Sequence, residues 1–173
     1  MIKQNTCLLE HFLTQSGYGK SILESLKNDG HVLLPENNIN PTLLVPTKDG
    51  DALFMLTKLL SVEPARNSSL LALALNLNLS PAYTLAACVA LDIENHNLCL
   101  RSTHNLSGAK SNMLSAALEQ HQKLAQQVKE ILLQYKQDVA ARNAPSFTKR
   151  IQPGTDTFKV RGYGVKADKL SGK

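Results

Sequence analysis

The chain has 173 residues, three cysteines, no tryptophan and a formal net charge of +5. This length favours a single domain with a sizeable core. The sequence lacks the roughly 18 consecutive apolar residues of a membrane span and the apolar leader of a signal peptide, so we expect no membrane insertion. Three cysteines without CxxC spacing argue against a disulfide framework and favour a reducing compartment, such as a bacterial or other cytosol.

The excess positive charge lies near the C-terminus. Residues 143–173 carry seven Lys or Arg against two Asp, whereas residues 1–142 carry twelve basic and twelve acidic residues. The final segment also has two prolines and four glycines, and no period that could bury a face. We therefore predict a basic, disordered tail over residues 143–173. Such a tail can attract nucleic acid or anionic lipid, or become ordered on a protein partner.

The first predicted element is an amphipathic helix. Asn5 and Thr6 are suitable N-cap residues, and Gly17-Tyr18-Gly19 interrupts the pattern. Residues 22–26 then indicate a further turn or a second short helix. Four apolar residues share one face of the first helix: Leu8, Leu9, Phe12 and Leu13.

Three short apolar runs follow, at residues 31–34, 42–45 and 52–60. Asp49-Gly50, between the second and third runs, is a typical hairpin signal, because glycine readily takes the positive φ that such turns need. We predict three antiparallel strands, although the third run is also compatible with a helix.

A leucine-rich segment after Asn67 predicts a short helix, which Ser80-Pro81 ends because proline has no N–H to donate. Residues 84–93 and 98–106 then predict two strands joined by a turn at residues 94–97. The second of these strands alternates apolar and polar residues with the period of a half-buried strand.

The strongest helical pattern begins at Ser107 or Ser111. Its stripe repeats every four and three residues: Leu114, Leu118, His121, Ala125, Val128, Leu132, Tyr135 and Val139. Around 30 residues of helix would be about 45 Å long. We predict that this helix packs over one face of the sheet, with a coiled coil to a partner helix as the alternative. We interpret His121 as a core or interface residue and not as a metal ligand.

These elements predict an α+β fold over residues 1–142. The fold class is an antiparallel sheet of about five strands flanked by helices, in the order α-β-β-β-α-β-β-α, followed by the tail. Catalytic signals are scarce, because the five histidines are scattered and no HExxH, CxxC, GxSxG or GxGxxG motif occurs. We therefore expect no enzymatic activity, and we predict no cofactor and no metal.

This order of elements resembles the class I type III secretion chaperones, the Tir-chaperone family. The residues that carry the resemblance are the leucine-rich helix at 70–78, Ala90-Leu91-Asp92 leading to Asn95, and the leucine-rich strand at 98–100. It covers residues 1–142 in architecture and about 67–142 in recognisable residues. Family members are usually acidic and end soon after the long helix, so the neutral body and the basic tail are departures from the pattern.

The resemblance implies a cytoplasmic bacterial homodimer that needs no nucleotide or metal. Such a chaperone binds the N-terminal region of a secreted effector in extended form and keeps it soluble and export-competent. Pairing with a sheet edge would supply backbone hydrogen bonds, and side-chain pockets would give selectivity. The secretion export apparatus is a further candidate partner.

The resemblance also suggests two sets of contact residues. The effector-binding set is Leu8, Leu9, Phe12, Leu13, Leu43, Val45, Leu53 and Phe54. The dimer-interface set is Leu70, Leu71, Leu73, Leu75, Ala86, Val89 and Leu91. Each of these apolar residues can equally belong to an ordinary core.

A different class of function is the alternative: a dimeric nucleic-acid-associated protein that uses the basic tail as its arm. Salt separates the two hypotheses, because binding to phosphates weakens steeply as salt rises. Binding through apolar patches should not weaken in this way.

Overall fold

A five-stranded antiparallel sheet lies at the centre of the fold. The computed structural model describes residues 2–34, 41–80 and 84–143, with side chains within these ranges from residue 8 to residue 142. The predicted tail therefore lies almost wholly outside the described residues. In chain order, the described elements are α1 (Ile2–Gln15), α2 (Lys20–Asp29), β1 (Val32–Leu34), β2 (Thr42–Pro46), β3 (Ala52–Ser61), α3 (Ser68–Asn78), β4 (Cys88–Asp92), β5 (Asn97–Asn105) and α4 (Ser111–Asn143).

The strands lie in the order β1-β2-β3-β5-β4, and each pairs antiparallel with its neighbours. This confirms the predicted α+β class with its five-stranded antiparallel sheet and flanking helices. The sheet edges are β1 and β4. Pairing of β3 with β5 brings the two halves of the chain together, because the strands on either side of α3 become neighbours in the middle of the sheet.

The turn at Asp49-Gly50 closes the predicted hairpin between β2 and β3. Gly50 has a φ of +74°, and its N–H donates to the carbonyl of Thr47 at 2.9 Å. The run at residues 52–60 is a strand and not a helix, because alternate residues are buried along it. A register shift between Lys58 and Leu60 marks a bulge near its end.

The predicted strand at residues 84–93 is shorter than expected. It begins at Cys88, because the chain turns at residues 84–87, where the Ala87 N–H donates to the Thr84 carbonyl at 2.8 Å. Leu85 has a φ of +52° there, which a strand does not accommodate.

The hairpin from β4 to β5 turns where predicted. The Asp92 carboxylate accepts hydrogen bonds from the backbone and side-chain amides of Asn95 at 3.1 and 2.8 Å. These hydrogen bonds lower the pKa of Asp92 below its usual value, so the carboxylate that holds the turn stays ionised at neutral pH.

The helices pack on one face of the sheet, which we call the inner face. One core cluster joins α1 and α2 to β1, β2, β3 and the start of α4, and a second joins α3 to β3, β4, β5 and the later part of α4. Leu114 and Leu118 of α4 belong to the first cluster, and Val128 and Leu132 belong to the second. The long helix therefore packs over the sheet as predicted and holds both clusters together.

A chain of polar side chains runs between the two clusters. Thr42 and Thr57 share a hydrogen bond of 2.9 Å across β2 and β3, and Thr57 lies 3.1 Å from Nε2 of His121. Nδ1 of His121 lies 2.8 Å from Oγ of Ser102, which lies 2.9 Å from Nε2 of His104. Among the described residues, no buried side-chain nitrogen or oxygen lacks a partner. The prediction that His121 is a core histidine is thus consistent with its position.

The free edge of β4 is partly occupied by the end of α3. Nδ2 of Asn78 donates to the carbonyl of Val89 at 3.0 Å, and the Val89 N–H donates to Oδ1 of Asn78 at 2.7 Å. The N–H and C=O of a strand residue point to the same side, so this amide occupies the side of Val89 that faces away from β5. Asn78 thereby attaches α3 to the edge strand and blocks strand addition at that point.

The buried position of His121 predicts acid-sensitive stability. Burial, with a smaller effect from nearby His104, lowers the pKa of His121 from 6.5 to about 4. As the pH falls, His121 therefore takes up a proton in the unfolded chain before it does so in the folded protein. The free energy of unfolding falls as the pH falls from 6.5 towards 4. The contribution of His121 to this loss should be about 3 kcal/mol. Urea unfolding of the wild type and of His121→Gln at several pH values measures it, and equal pH slopes would contradict it.

The Asn78 amide gives a second stability prediction. Replacing Asn78 by Ala leaves the Val89 N–H and C=O without their partners, so unfolding free energy should fall by about 1–3 kcal/mol. Asn76→Ala is the matched control, because Asn76 lies on the same helix with an exposed side chain and should change stability by less than about 0.5 kcal/mol. Equal losses in the two variants, measured by urea unfolding, would show that the amide bonds to Val89 contribute nothing.

Candidate protein-binding surfaces

The outer face of the sheet, opposite the helices, carries five apolar side chains. Because side chains alternate along a strand, those between the buried residues point away from the core. We call Leu33, Leu43, Val45, Phe54 and Leu56 the outer patch. Leu33 is 55% exposed and the others are half-buried, and none of them belongs to either core cluster. The described helices therefore leave an apolar sheet face uncovered.

Strand register joins these residues into rows across the sheet. Leu33 faces Leu43, Leu43 faces Leu56, and Leu56 faces Arg101, so one row runs from β1 to β5. In a second row, Val45 faces Phe54 across β2 and β3. Residues that are far apart in sequence thus form one continuous apolar surface.

Basic residues border the outer patch. The guanidinium of Arg101 lies over the ring of Phe54, with 4.4 Å from its carbon to the ring centroid. Lys58, on the same face, lies opposite Cys99. Burial, with a smaller effect from Asp92, raises the pKa of the Cys99 thiol, so this thiol is protonated at neutral pH and unreactive. The surface is therefore apolar and positively charged.

The structure places the predicted effector-binding residues in two environments. Four of them lie in the first core cluster and are at most 2% exposed: Leu9, Phe12, Leu13 and Leu53. Leu8 is half-buried beside that cluster. The other three, Leu43, Val45 and Phe54, belong to the outer patch.

Leu33, Leu56 and Arg101 are not among the effector-binding residues predicted from the sequence. The period of two that places Phe54 on one face also places Leu56 there, so Leu56 could have been found from the sequence. Arg101 could not, because its position beside Leu56 depends on the pairing of β3 with β5.

A second exposed apolar surface lies on α3. Leu75 is 67% exposed and Leu79 is 82% exposed, and their spacing of four residues places them on one side of the helix. We call this pair the α3 surface. Single exposed leucines are common on proteins, but two on one helical face form a contiguous exposed apolar patch.

The predicted dimer-interface residues are only partly exposed. Leu70 and Val89 are buried in the second core cluster, and Leu71, Leu73 and Leu91 pack against it. Leu75 and Ala86 are exposed. Of the predicted set, α3 therefore presents mainly Leu75 to a partner.

In residues 2–34, 41–80 and 84–143, no three His, Cys, Asp or Glu side chains are placed to hold a metal ion. No helix in these ranges is long and apolar enough to cross a membrane.

Comparisons with known proteins agree with this architecture. Among solved structures, the ExsC–ExsE complex covers 76% of this chain and 96% of its own, with a TM-score of 0.54 and 11% identity. The HopA1–SchA chaperone–effector complex covers 72% and 91%, with a TM-score of 0.50 and 16% identity. The Yersinia pestis chaperone SycH, in complex with a YscM2 fragment, covers 70% and 97%, with a TM-score of 0.48 and 20% identity. At these identities the likeness of the first two structures, with TM-scores of 0.54 and 0.50, concerns the fold.

The search of curated proteins gave no match. The family model described as the Tir chaperone protein (CesT) family matches residues 7–129, which is more than two thirds of the chain. The chain therefore belongs to the Tir chaperone protein (CesT) family.

Proposed function

We propose that this protein, a type III secretion chaperone, binds the N-terminal region of a secreted effector in extended form and keeps it soluble and export-competent. The outer patch is the observation that carries the proposal. It offers five apolar side chains on a sheet face that the described helices do not cover. Binding of this kind needs no catalytic step, and it takes place in the bacterial cytoplasm before export.

The β1 edge is the proposed site of strand addition, because Asn78 already occupies part of the β4 edge. The described part of β1 has three residues, which can form few backbone hydrogen bonds, each with a net contribution of about 0.5–1.5 kcal/mol. Full burial of one large apolar side chain contributes about 1.5–3 kcal/mol. The outer patch should therefore provide most of the affinity.

We assign the effector contacts to the outer-patch members of the predicted set, Leu43, Val45 and Phe54, together with Leu33 and Leu56. Leu8 stays a separate predicted contact, because it packs beside the first core cluster on the inner face. Leu9, Phe12, Leu13 and Leu53 belong to that core. The α3 surface is the proposed centre of a homodimer interface, with Ala86 and the partly buried residues of α3 and β4 around it.

The dimer proposal predicts the effect of charge on α3. Leu75→Asp places a carboxylate on an apolar contact, so the dimer of about twice 18.9 kDa should dissociate to the monomer. Met113→Asp is the matched control, because Met113 is 56% exposed at the start of α4, and this variant should remain dimeric. Size-exclusion chromatography with light scattering measures both masses. A wild-type monomer, or a dimeric Leu75→Asp variant, would contradict the proposed interface.

The outer patch predicts a loss of effector binding on polar substitution. The double variant Leu43→Gln with Leu56→Gln removes two adjacent apolar side chains from the patch and should weaken binding at least about tenfold. Met113→Gln should leave binding unchanged. Co-expression with secreted proteins encoded nearby, purification in about 0.5 M salt and calorimetry with the captured segment give the affinities.

The same experiment separates the chaperone from the nucleic-acid alternative. A dimer that keeps one effector segment in about 0.5 M salt supports the proposal, because salt does not weaken apolar contacts. A monomer that takes up only nucleic acid and releases it as salt rises would contradict it. Binding to the secretion export apparatus is a separate proposal, which pull-down with the export ATPase would test.

A further inference from the structure

Arg101 is a basic residue of β5 at the border of the outer patch. Its row partners are Leu56 on β3 and Cys88 on β4, and its guanidinium lies over Phe54. In the described part of the chain, its guanidinium forms no ion pair with a carboxylate, in contrast to Lys27, Arg66 and Lys123. A planar cation with free N–H donors is thus held against an apolar surface.

A second cation strengthens the charge of this region. Lys58 lies diagonally from Arg101, because Lys58 faces Cys99, two residues before Arg101 on β5. Within the described ranges Lys58 also lacks a carboxylate partner. The only acidic side chain on this face of the described strands is Asp92, whose carboxylate already binds Asn95. The face beside the outer patch is therefore positively charged.

We propose that Arg101, assisted by Lys58, selects a segment that carries an Asp or Glu close to its apolar anchor residues. The inference rests on the proposed function and deepens it, since it specifies the chemistry of the bound segment. The guanidinium presents a fork of N–H groups that matches a carboxylate, and its place over Phe54 limits its freedom before binding.

The charges of Arg101 and Lys58 attract a segment that carries an Asp or Glu.

The register gives the spacing that the segment must have. Leu43 and Arg101 belong to one row and are separated by two strand spacings, about 10 Å. A bound segment that runs across the strands in extended form covers this distance in about three residues, at about 3.4 Å per residue. The acidic residue should therefore lie two to four positions from an apolar anchor.

Selection from a random peptide library tests the inference without a known effector. The full-length chain is presented with a display library of random 12-residue peptides in about 0.1 M salt, and the bound peptides are sequenced. We expect apolar peptides with Asp or Glu enriched about three- to tenfold at two to four positions from an anchor, the range for a partly covered ion pair. Arg101→Gln should abolish the acidic enrichment and keep the apolar pattern.

Two further variants distinguish selection by charge from a structural role. Arg101→Glu should replace the acidic preference by a preference for Lys or Arg, which a loss of folding would not produce. Lys20→Gln is the control, because it removes one positive charge, as Arg101→Gln does, away from the outer patch. Lys20 is an exposed residue of α2 on the inner side of the sheet. This variant should leave the acidic preference unchanged.

The outcomes separate this inference from the proposed function. Apolar peptides without an acidic preference, or a preference that persists in Arg101→Gln, would overturn the role of Arg101 and leave the chaperone function intact. Failure of the wild type to enrich any peptide that depends on Leu43 and Leu56 would overturn the outer patch as a binding surface, and the inference with it.

Discussion

One-sided burial of the sheet is the constraint on which the rest of the described structure depends. The helices pack on the inner face, where two core clusters take up the buried side chains of all five strands. The alternation of a strand places its remaining apolar side chains on the opposite face. Because the described helices lie on one side, Leu43, Val45, Phe54 and Leu56 stay accessible on the other. The proposed binding surface thus follows from how the core is built.

The inner face needs more than apolar packing to hold its two halves together. His121 lies where α4 passes from one cluster to the other, and its two ring nitrogens contact hydroxyls from β3 and β5. A buried polar group that lacked these partners would cost stability. The hydrogen bonds from His121 to Thr57 and Ser102 therefore offset the cost of burying the imidazole. They also fix the position of the long helix over the sheet.

The two edges of the sheet differ in a way that affects partners. Asn78 covers the backbone of Val89 on β4. Leu75 of α3 and Leu79, the residue just after α3, are exposed close to Asn78 in the chain. β1, at the other edge, adjoins Leu33 and the outer patch. The proposed dimer surface and the proposed effector surface therefore lie on different parts of the fold, so both contacts can form together.

Local pattern in the sequence determined the elements and the fold class. Periodicity predicted α1, α4 and β5, glycine and proline predicted the turns, and the order of elements was sufficient for the family resemblance, because each of these signals acts between near neighbours in the chain. Only the tertiary structure decided which apolar residues are core. Leu53 and Phe54 are adjacent and equally apolar, yet Leu53 is buried and Phe54 lies beneath Arg101. That difference depends on which sheet face the helices cover and on strand pairing between distant segments, and neither is encoded in a local pattern.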